Sequence, residues 1–246
     1  MKGIILAGGL GTRLLPCTKV TNKHLIPVFN KPMIYYPIYT LVQAGIRDIM
    51  IISGKGHAGH FLELLGTGNQ FNARFSYAVQ EQPGGIAQAL GLAQDFSDNG
   101  RVVVMLGDNL LEYDISKAFK GFKNQESGAK IFLKRVKNPS SYGIAEIEKG
   151  MLCKIIEKPK KPKSNLAVIG LYMYDEQVWN VLKNLKPSSR GELEITDVNN
   201  FYVRQKTIKY EILRGFWGDC GESFESLLEV SKQVAKREEL REIFVK

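Results

Sequence analysis

The sequence predicts an α/β fold built on a mixed, mainly parallel sheet with helices on both faces. Three observations predict it. Short apolar runs alternate with helix-spaced segments through the first half of the chain, the βαβα rhythm of a parallel sheet. Glycine clusters and acids fall just after those runs, where ligands gather beyond the carboxyl ends of parallel strands. The second half keeps its strands but joins some by short turns, which adds antiparallel pairing.

In chain order, residues 3–7 (GIILA) form a continuous apolar strand closed by glycines. Residues 33–44 have helical spacing despite Pro37. DIMIIS (48–53) reads as a buried strand, HFLELL (60–65) as a short helix and RFSYAVQ (74–80) as an alternating strand. IAQALGLAQDF (86–96) is helical, and VVVMLGD (102–108) is an apolar strand ending in an acid. Strands follow at 129–136, 142–148 and 152–158, with turns at Asn138-Pro139 and Lys149-Gly150. A basic loop (158–164), a strand (168–174), helices at 176–185 and 195–206, and an alternating strand (207–215) complete the second half. The tail from Phe224 to Leu240 has the spacing of one amphipathic helix. With no repeat and no linker, residues 1–246 are expected to form a single domain.

Composition narrows the function. Hydrophobic residues make up 44% and charged residues 24%, which excludes disordered and low-complexity chains. No apolar run reaches the ~18 residues of a membrane span. The opening MKGIILAGG has too short an apolar core for a signal peptide, so a cytoplasmic protein without membrane partners is expected. The net charge of +9 points to anionic partners. The basic residues are scattered and match no reading motif, so phosphorylated small molecules are expected rather than nucleic acid. Cys17, Cys153 and Cys220 are far apart with no CxxC pair, the pattern of reduced thiols rather than a zinc site.

The segment LAGGLGTRL (6–14) follows the first strand directly. Gly8, Gly9 and Gly11 let backbone N–H groups approach an anion, and Arg13 can fork onto phosphate oxygens. It is not a Walker loop, because no lysine stands at the required spacing. It is not a dinucleotide fingerprint either: Leu14 occupies the third glycine position, and residues 28–34 contain no acid.

The glycine segment together with TKVTNKHLIPVFNKPMIYYPI (18–38) resembles the sugar-1-phosphate nucleotidylyltransferases. VQEQPGGIAQAL (79–90), LGDN (106–109), YGIAEI (142–147), EKPKKPKS (157–164), GELEITDVN (191–199) and WGDCG (217–221) extend the resemblance, in order, from Lys2 to about Leu228. The resemblance implies a Rossmann-like three-layer sandwich of the nucleotide-diphospho-sugar transferase type. It is strongest to the members that transfer a thymidylyl group from dTTP to glucose 1-phosphate with Mg²⁺, commonly as homo-oligomers.

Carried over residue by residue, the resemblance implies Leu6, Gly8, Gly9, Gly11, Thr12, Arg13, Gln80, Gly85 and Asp108 at the nucleotide. Arg13, Lys23, Asp108 and Lys158 are the implied catalytic set, with Arg13 and Lys23 on the triphosphate. Asp108 and Asp219 are the implied Mg²⁺ ligands, hard oxygens for a hard cation. Gln80 offers a donor and an acceptor to the imide edge of thymine or uracil. Asn109, Gly143, Glu157, Lys158, Val168 and Glu192 are implied around the sugar phosphate, Glu157 on sugar hydroxyls and Lys158 on the phosphate.

The chain departs from the family at two places. His24 stands where thymidylyl members have glutamine, and its ring can charge near neutral pH, so it is expected beside the site rather than in the chemistry. Asp219 is followed by Cys220, Gly221 and Glu222, with Cys220 expected to be a small buried residue. These departures leave two alternatives: a transferase for UTP or another sugar 1-phosphate, and a nucleotide-sugar-binding relative without catalysis. The C-terminal helical segment of longer members is also expected to be missing, and with it feedback inhibition by dTDP-rhamnose.

Overall fold

A computed structural model describes residues 1–244. The elements run β1 (Lys2–Ala7), β2 (Pro27–Val28), β3 (Lys31–Pro32), α1 (Tyr35–Gln43), β4 (Asp48–Gly54), α2 (Ala58–Leu65), β5 (Arg74–Gln80), α3 (Ile86–Gly91) and β6 (Val102–Leu106). They continue β7 (Asn109–Leu111), α4 (Ser116–Lys123), β8 (Ala129–Arg135), β9 (Gly143–Glu148), β10 (Met151–Glu157), β11 (Leu166–Tyr174), α5 (Gln177–Lys183) and α6 (Ile195–Arg204). β12 (Ile208–Ile212), β13 (Trp217–Asp219), α7 (Phe224–Ala235) and α8 (Glu238–Arg241) close the chain. No helix among the described residues is long and apolar enough to cross a membrane.

The chain divides into two compact units. The first comprises Lys2–Pro83, Met105–Phe119 and the chain from Gly215. Here β1, β4 and β5 are parallel neighbours, with Ala7 opposite Ser53 and Ser53 opposite Val79. Their carboxyl ends therefore line up, and the loops after them emerge together. β1 is apolar and buried from Gly3 onward, as a strand covered on both faces must be. Pro37 sits in the first turn of α1, where a missing N–H leaves no intrahelical bond unmade. Val28, Met33, Tyr36, Leu110, Cys220, Val230 and Val234 pack into one core cluster, which binds the start of the unit to its end.

The second unit comprises Gly84–Val104 and Lys120–Arg214. β8 pairs antiparallel with β11 and parallel with β12, and β9 pairs antiparallel with both β11 and β10. β9 and β10 are joined by Lys149 and Gly150, both at positive φ (49° and 79°), as a two-residue hairpin turn requires. β11 is buried along its whole length.

Several elements differ from the sequence expectation. The tail is two helices, with a break at Lys236 and Arg237 after α7. α3 stops at Gly91, and residues 92–99 are turns. The two-residue strands β2 and β3, the three-residue strands β7 and β13, and helix α4 were not anticipated. The short strands matter most, because β7 and β13 build the site.

Candidate active site

In the first unit, the loop after β1 takes the shape its glycines permit. Gly9 and Gly11 lie at φ 90° and 62°, and Arg13 follows in a single 3₁₀ turn, Thr12–Leu14. The Thr18 hydroxyl donates to the Gly11 carbonyl at 2.9 Å and fixes the loop from outside. A Cβ on Gly8 would lie 2.7 Å from Gln80 Oε1, so a side chain there would displace the Gln80 amide from beside the loop. A cleft of about 200 Å³ opens at this end, lined by Gly9, Leu10, Asn22, Lys23, Gly54, Lys55, His57, Gln80 and Glu81. Leu6 is buried beneath it, and Thr12 and Arg13 are exposed.

Lys23 reaches Asp108 in a direct ion pair. Gly107 N donates to Leu6 O at 2.9 Å, which carries Asp108 to the carboxyl end of β1. The ladder between β7 and β13 then sets Asp219 opposite Asn109, and Cys220 N donates to the Asp108 carbonyl at 2.9 Å. The two carboxylates, far apart in sequence, become neighbours. Asn109 Nδ2 donates to Asp108 Oδ1 at 3.0 Å, and its Oδ1 accepts from Trp217 Nε1 at 2.8 Å. Gly221 closes the turn: a Cβ on it would run into Asp108 Oδ2 and lie 2.8 Å from Lys23 Nζ.

The charges of this cluster are interdependent. Burial works against the Asp108 carboxylate, but Lys23, with the further help of His24 and Asn109, holds the group well below the usual carboxylate range. Burial also works against the Lys23 ammonium, and Asp108 with Asp219 outweighs it, so Lys23 stays charged. Arg13 is close enough to oppose that charge. Asp219 is pushed up to about 7, first by burial and then by Asp108. Two hard carboxylates side by side fit a small divalent cation, which takes one or two carboxylates and completes its shell with phosphate and water. Among the described residues no set of three or more His, Cys, Asp or Glu side chains forms a larger metal cage.

His24 lies beside Lys23 and Asp108, and its surroundings keep its ring uncharged. Its ring is buried, Nδ1 lies 2.7 Å from Asn22 Oδ1, and Asn22 Nδ2 donates to Ala7 O at 3.2 Å. Burial, with Lys23 alongside, pushes His24 down to about 3, so it stays neutral near pH 7. Gly107 lies against it, where a Cβ would sit 2.7 Å from Cδ2. Cys220 is fully buried, and burial, Asp108 and Asp219 push its thiol up.

The second unit carries its own cluster. Glu157 ends β10 opposite Gly143 of β9. The Thr196 hydroxyl, in the first turn of α6, donates to Glu157 Oε2 at 2.5 Å. A Cβ on Gly143 would lie 3.3 Å from both of those oxygens, so its bare backbone leaves them room. Lys158 turns out of the strand at φ 41°, with Nζ 4.0 Å from Glu157 Oε1. Arg190 forks onto Glu194 at 2.8–3.1 Å and also reaches Glu157 (3.5 Å) and Glu192 (3.6 Å). Gly85, at φ 98°, backs onto the same loop; a Cβ there would lie 2.5 Å from Leu193 O. Val168 is buried in β11 opposite Leu133. Thr196 and Arg190 were not singled out from the sequence; their signal is only that they flank the acids of GELEITD.

A glycine-rich loop, a buried lysine and paired carboxylates at the carboxyl ends of parallel strands fit a nucleotidyl-transfer class of site. The nucleotidyl transferase family pattern matches residues 2–237, and the chain belongs to that family. It is 44% identical over 249 residues to a Neisseria meningitidis glucose-1-phosphate thymidylyltransferase, covering 100% of this chain and 86% of that protein. It is 46% identical over 235 residues to the Mycobacterium tuberculosis protein of the same name, covering 94% of this chain and 81% of the other. Among solved structures, a Bacillus anthracis protein assigned as a glucose-1-phosphate thymidylyltransferase, in complex with sucrose, superposes with a TM-score of 0.91 at 51% identity, covering 95% and 94% of the two chains. A UDP-glucose pyrophosphorylase with UDP-glucose gives 0.84 at 26% identity, covering 96% and 98%. The fold class is theirs: α/β, with a mixed, mainly parallel central sheet and helices.

Proposed function

We propose that the protein transfers a thymidylyl group from dTTP to α-D-glucose 1-phosphate, giving dTDP-glucose and pyrophosphate. The observation that carries this is the Lys23–Asp108 ion pair beside Asp219, at the end of a glycine phosphate loop, in a chain whose curated relatives bear that activity in their names. In the reaction a phosphate oxygen of the sugar attacks the α-phosphorus in line, and pyrophosphate leaves. Both reactants are anionic, so the protein's task is positioning and charge compensation. The loop backbone at Gly8, Gly9 and Gly11, with Arg13 and Lys23, binds the triphosphate and meets the charge that grows on the leaving group. Asp108 and Asp219 would hold Mg²⁺, which when bound would supply positive charge against the phosphate oxygens. Gln80 reads the base. Glu157 and Thr196 hold sugar hydroxyls, and Lys158 and Arg190 hold the sugar's phosphate.

The test is a grid of dTTP, UTP, CTP, ATP and GTP against several sugar 1-phosphates, with Mg²⁺ and pyrophosphate release as readout. A dominant signal for dTTP with glucose 1-phosphate is expected. A dominant signal at another pair would overturn the substrate assignment, and silence across the grid would overturn the activity.

A further inference from the structure

β10 has β9 on one side only, so alternate residues along it present unpaired backbone groups on the other. At Ile155 those groups are taken by a side chain. Asn200 Oδ1 accepts from Ile155 N at 2.9 Å, and Asn200 Nδ2 donates to Ile155 O at 2.8 Å. One amide thus does the work of a neighbouring strand. Asn200 lies one turn after Thr196 on α6, so the two share a helix face. Ile155 and Glu157 are likewise two residues apart on one face of β10. α6 therefore grips the end of β10 twice, through the backbone at Ile155 and through the carboxylate at Glu157. The second grip is a single hydrogen bond between flexible groups, and its geometry depends on the first.

We infer that Asn200 is a positioning residue for sugar recognition: it docks β10 on α6 and so aims the Glu157 carboxylate. The inference rests on the reading of Glu157 as the sugar-binding acid. Without Asn200, the outward N–H and C=O of Ile155 lose both partners, and Glu157 is aimed only by side chains. Sugar binding should loosen while nucleotide binding, which uses groups that Asn200 does not touch, stays as it is.

The test uses Asn200→Ala and Asn200→Asp, with Val181→Ala, a buried truncation in α5, as a control for general destabilisation. The aspartate keeps an acceptor for Ile155 N but loses the donor. Both Asn200 variants should raise KM for glucose 1-phosphate about tenfold, the scale of a displaced positioning contact, and leave KM for dTTP unchanged. They should also shrink, by the same factor, the calorimetric advantage of dTDP-glucose over dTDP. Val181→Ala should lower the melting temperature without that split. An unchanged KM for the sugar phosphate, or both KM values rising together, would overturn the inference. If the wild type turns over a different sugar phosphate, the substrate assignment fails and the same split is read on that sugar. If no pair is turned over, the affinity ratio decides: an unchanged ratio in the variants, or no advantage of dTDP-glucose over dTDP in the wild type, rejects the role.

Discussion

Asp219 lies directly opposite Asn109 across the β7–β13 ladder, and Asn109 in turn donates to Asp108. A three-residue ladder thus sets the spacing of the two carboxylates, with Lys23 beside them. The electrostatics of that arrangement lead to the first prediction.

Asp108→Asn and Asp219→Asn should each lower kcat by ~100-fold or more, the scale of losing preorganised transition-state charge. Their effects on stability should differ. Asp108→Asn strips a buried ammonium of its partner and lowers the melting temperature. Asp219→Asn removes a carboxylate that burial and Asp108 disfavour, and leaves the metal-free protein as stable or more so. Near-normal turnover in either variant would contradict the metal assignment.

Asp219 also predicts a pH dependence. Its native pKa, about 7, is above its unfolded value, so between about pH 4 and 7 the native state holds the extra proton. Its contribution to stability is complete below pH 4 and fades as pH rises through 7, with a slope of up to about 1.4 kcal/mol per pH unit. Denaturant unfolding of wild type and Asp219→Asn in EDTA should agree near pH 4 and diverge as pH rises, with Asp219→Asn the more stable, and added Mg²⁺ should stabilise only the wild type above pH 7.

His24 predicts the opposite slope. Its native pKa, about 3, lies below the unfolded value of about 6.5, so the unfolded state binds the extra proton between these limits. The stability it contributes is present above pH 6.5 and is lost as pH falls toward 3, by about 2 kcal/mol at pH 5. His24→Gln should flatten this acid limb in urea titrations. An unchanged pH profile in that variant would show that the imidazole titrates freely.

Lys158 occupies the left-handed region at φ 41°, which a side chain enters at a cost of about 1–2 kcal/mol. Lys158→Gly should therefore raise the unfolding free energy by about 1 kcal/mol while raising KM for the sugar phosphate. Lys158→Ala should raise that KM equally with no gain in stability. Equal stabilities for the two variants would remove strain from the account.

Cys17 and Cys153 are exposed and Cys220 is buried, so a thiol reagent should modify two thiols in the native protein and the third only on unfolding. Rapid native labelling of Cys220, read by peptide mass, would mean that the loop around Asp219 opens readily.

What was legible in the sequence was local. β1, β4 and β5 announce themselves by apolar runs or alternation, and the glycine loop lies where the strand pattern puts it. The pairing of Asp108 with Asp219 is reached only through the family resemblance and not through their spacing, because a three-residue strand has no periodicity to detect and ladder register is a tertiary property. The break between α7 and α8 was missed because no glycine or proline marks it. Buried Val230, Val234, Leu240 and Ile243 continue an apolar pattern across it. Residue type says only that His24 can charge; its surroundings, a tertiary property, forbid it.

The ladder between β7 and β13 also gives the protein an order of birth. During synthesis from the amino terminus, Arg13, Lys23 and Asp108 leave the ribosome well before Asp219. A nascent or prematurely terminated chain can shape its phosphate loop, yet it has no second carboxylate and no α7 to seal Val28, Met33 and Tyr36. A chain ending before Asp219 is therefore expected to lack nucleotidyl transfer, whatever shape its glycine loop takes.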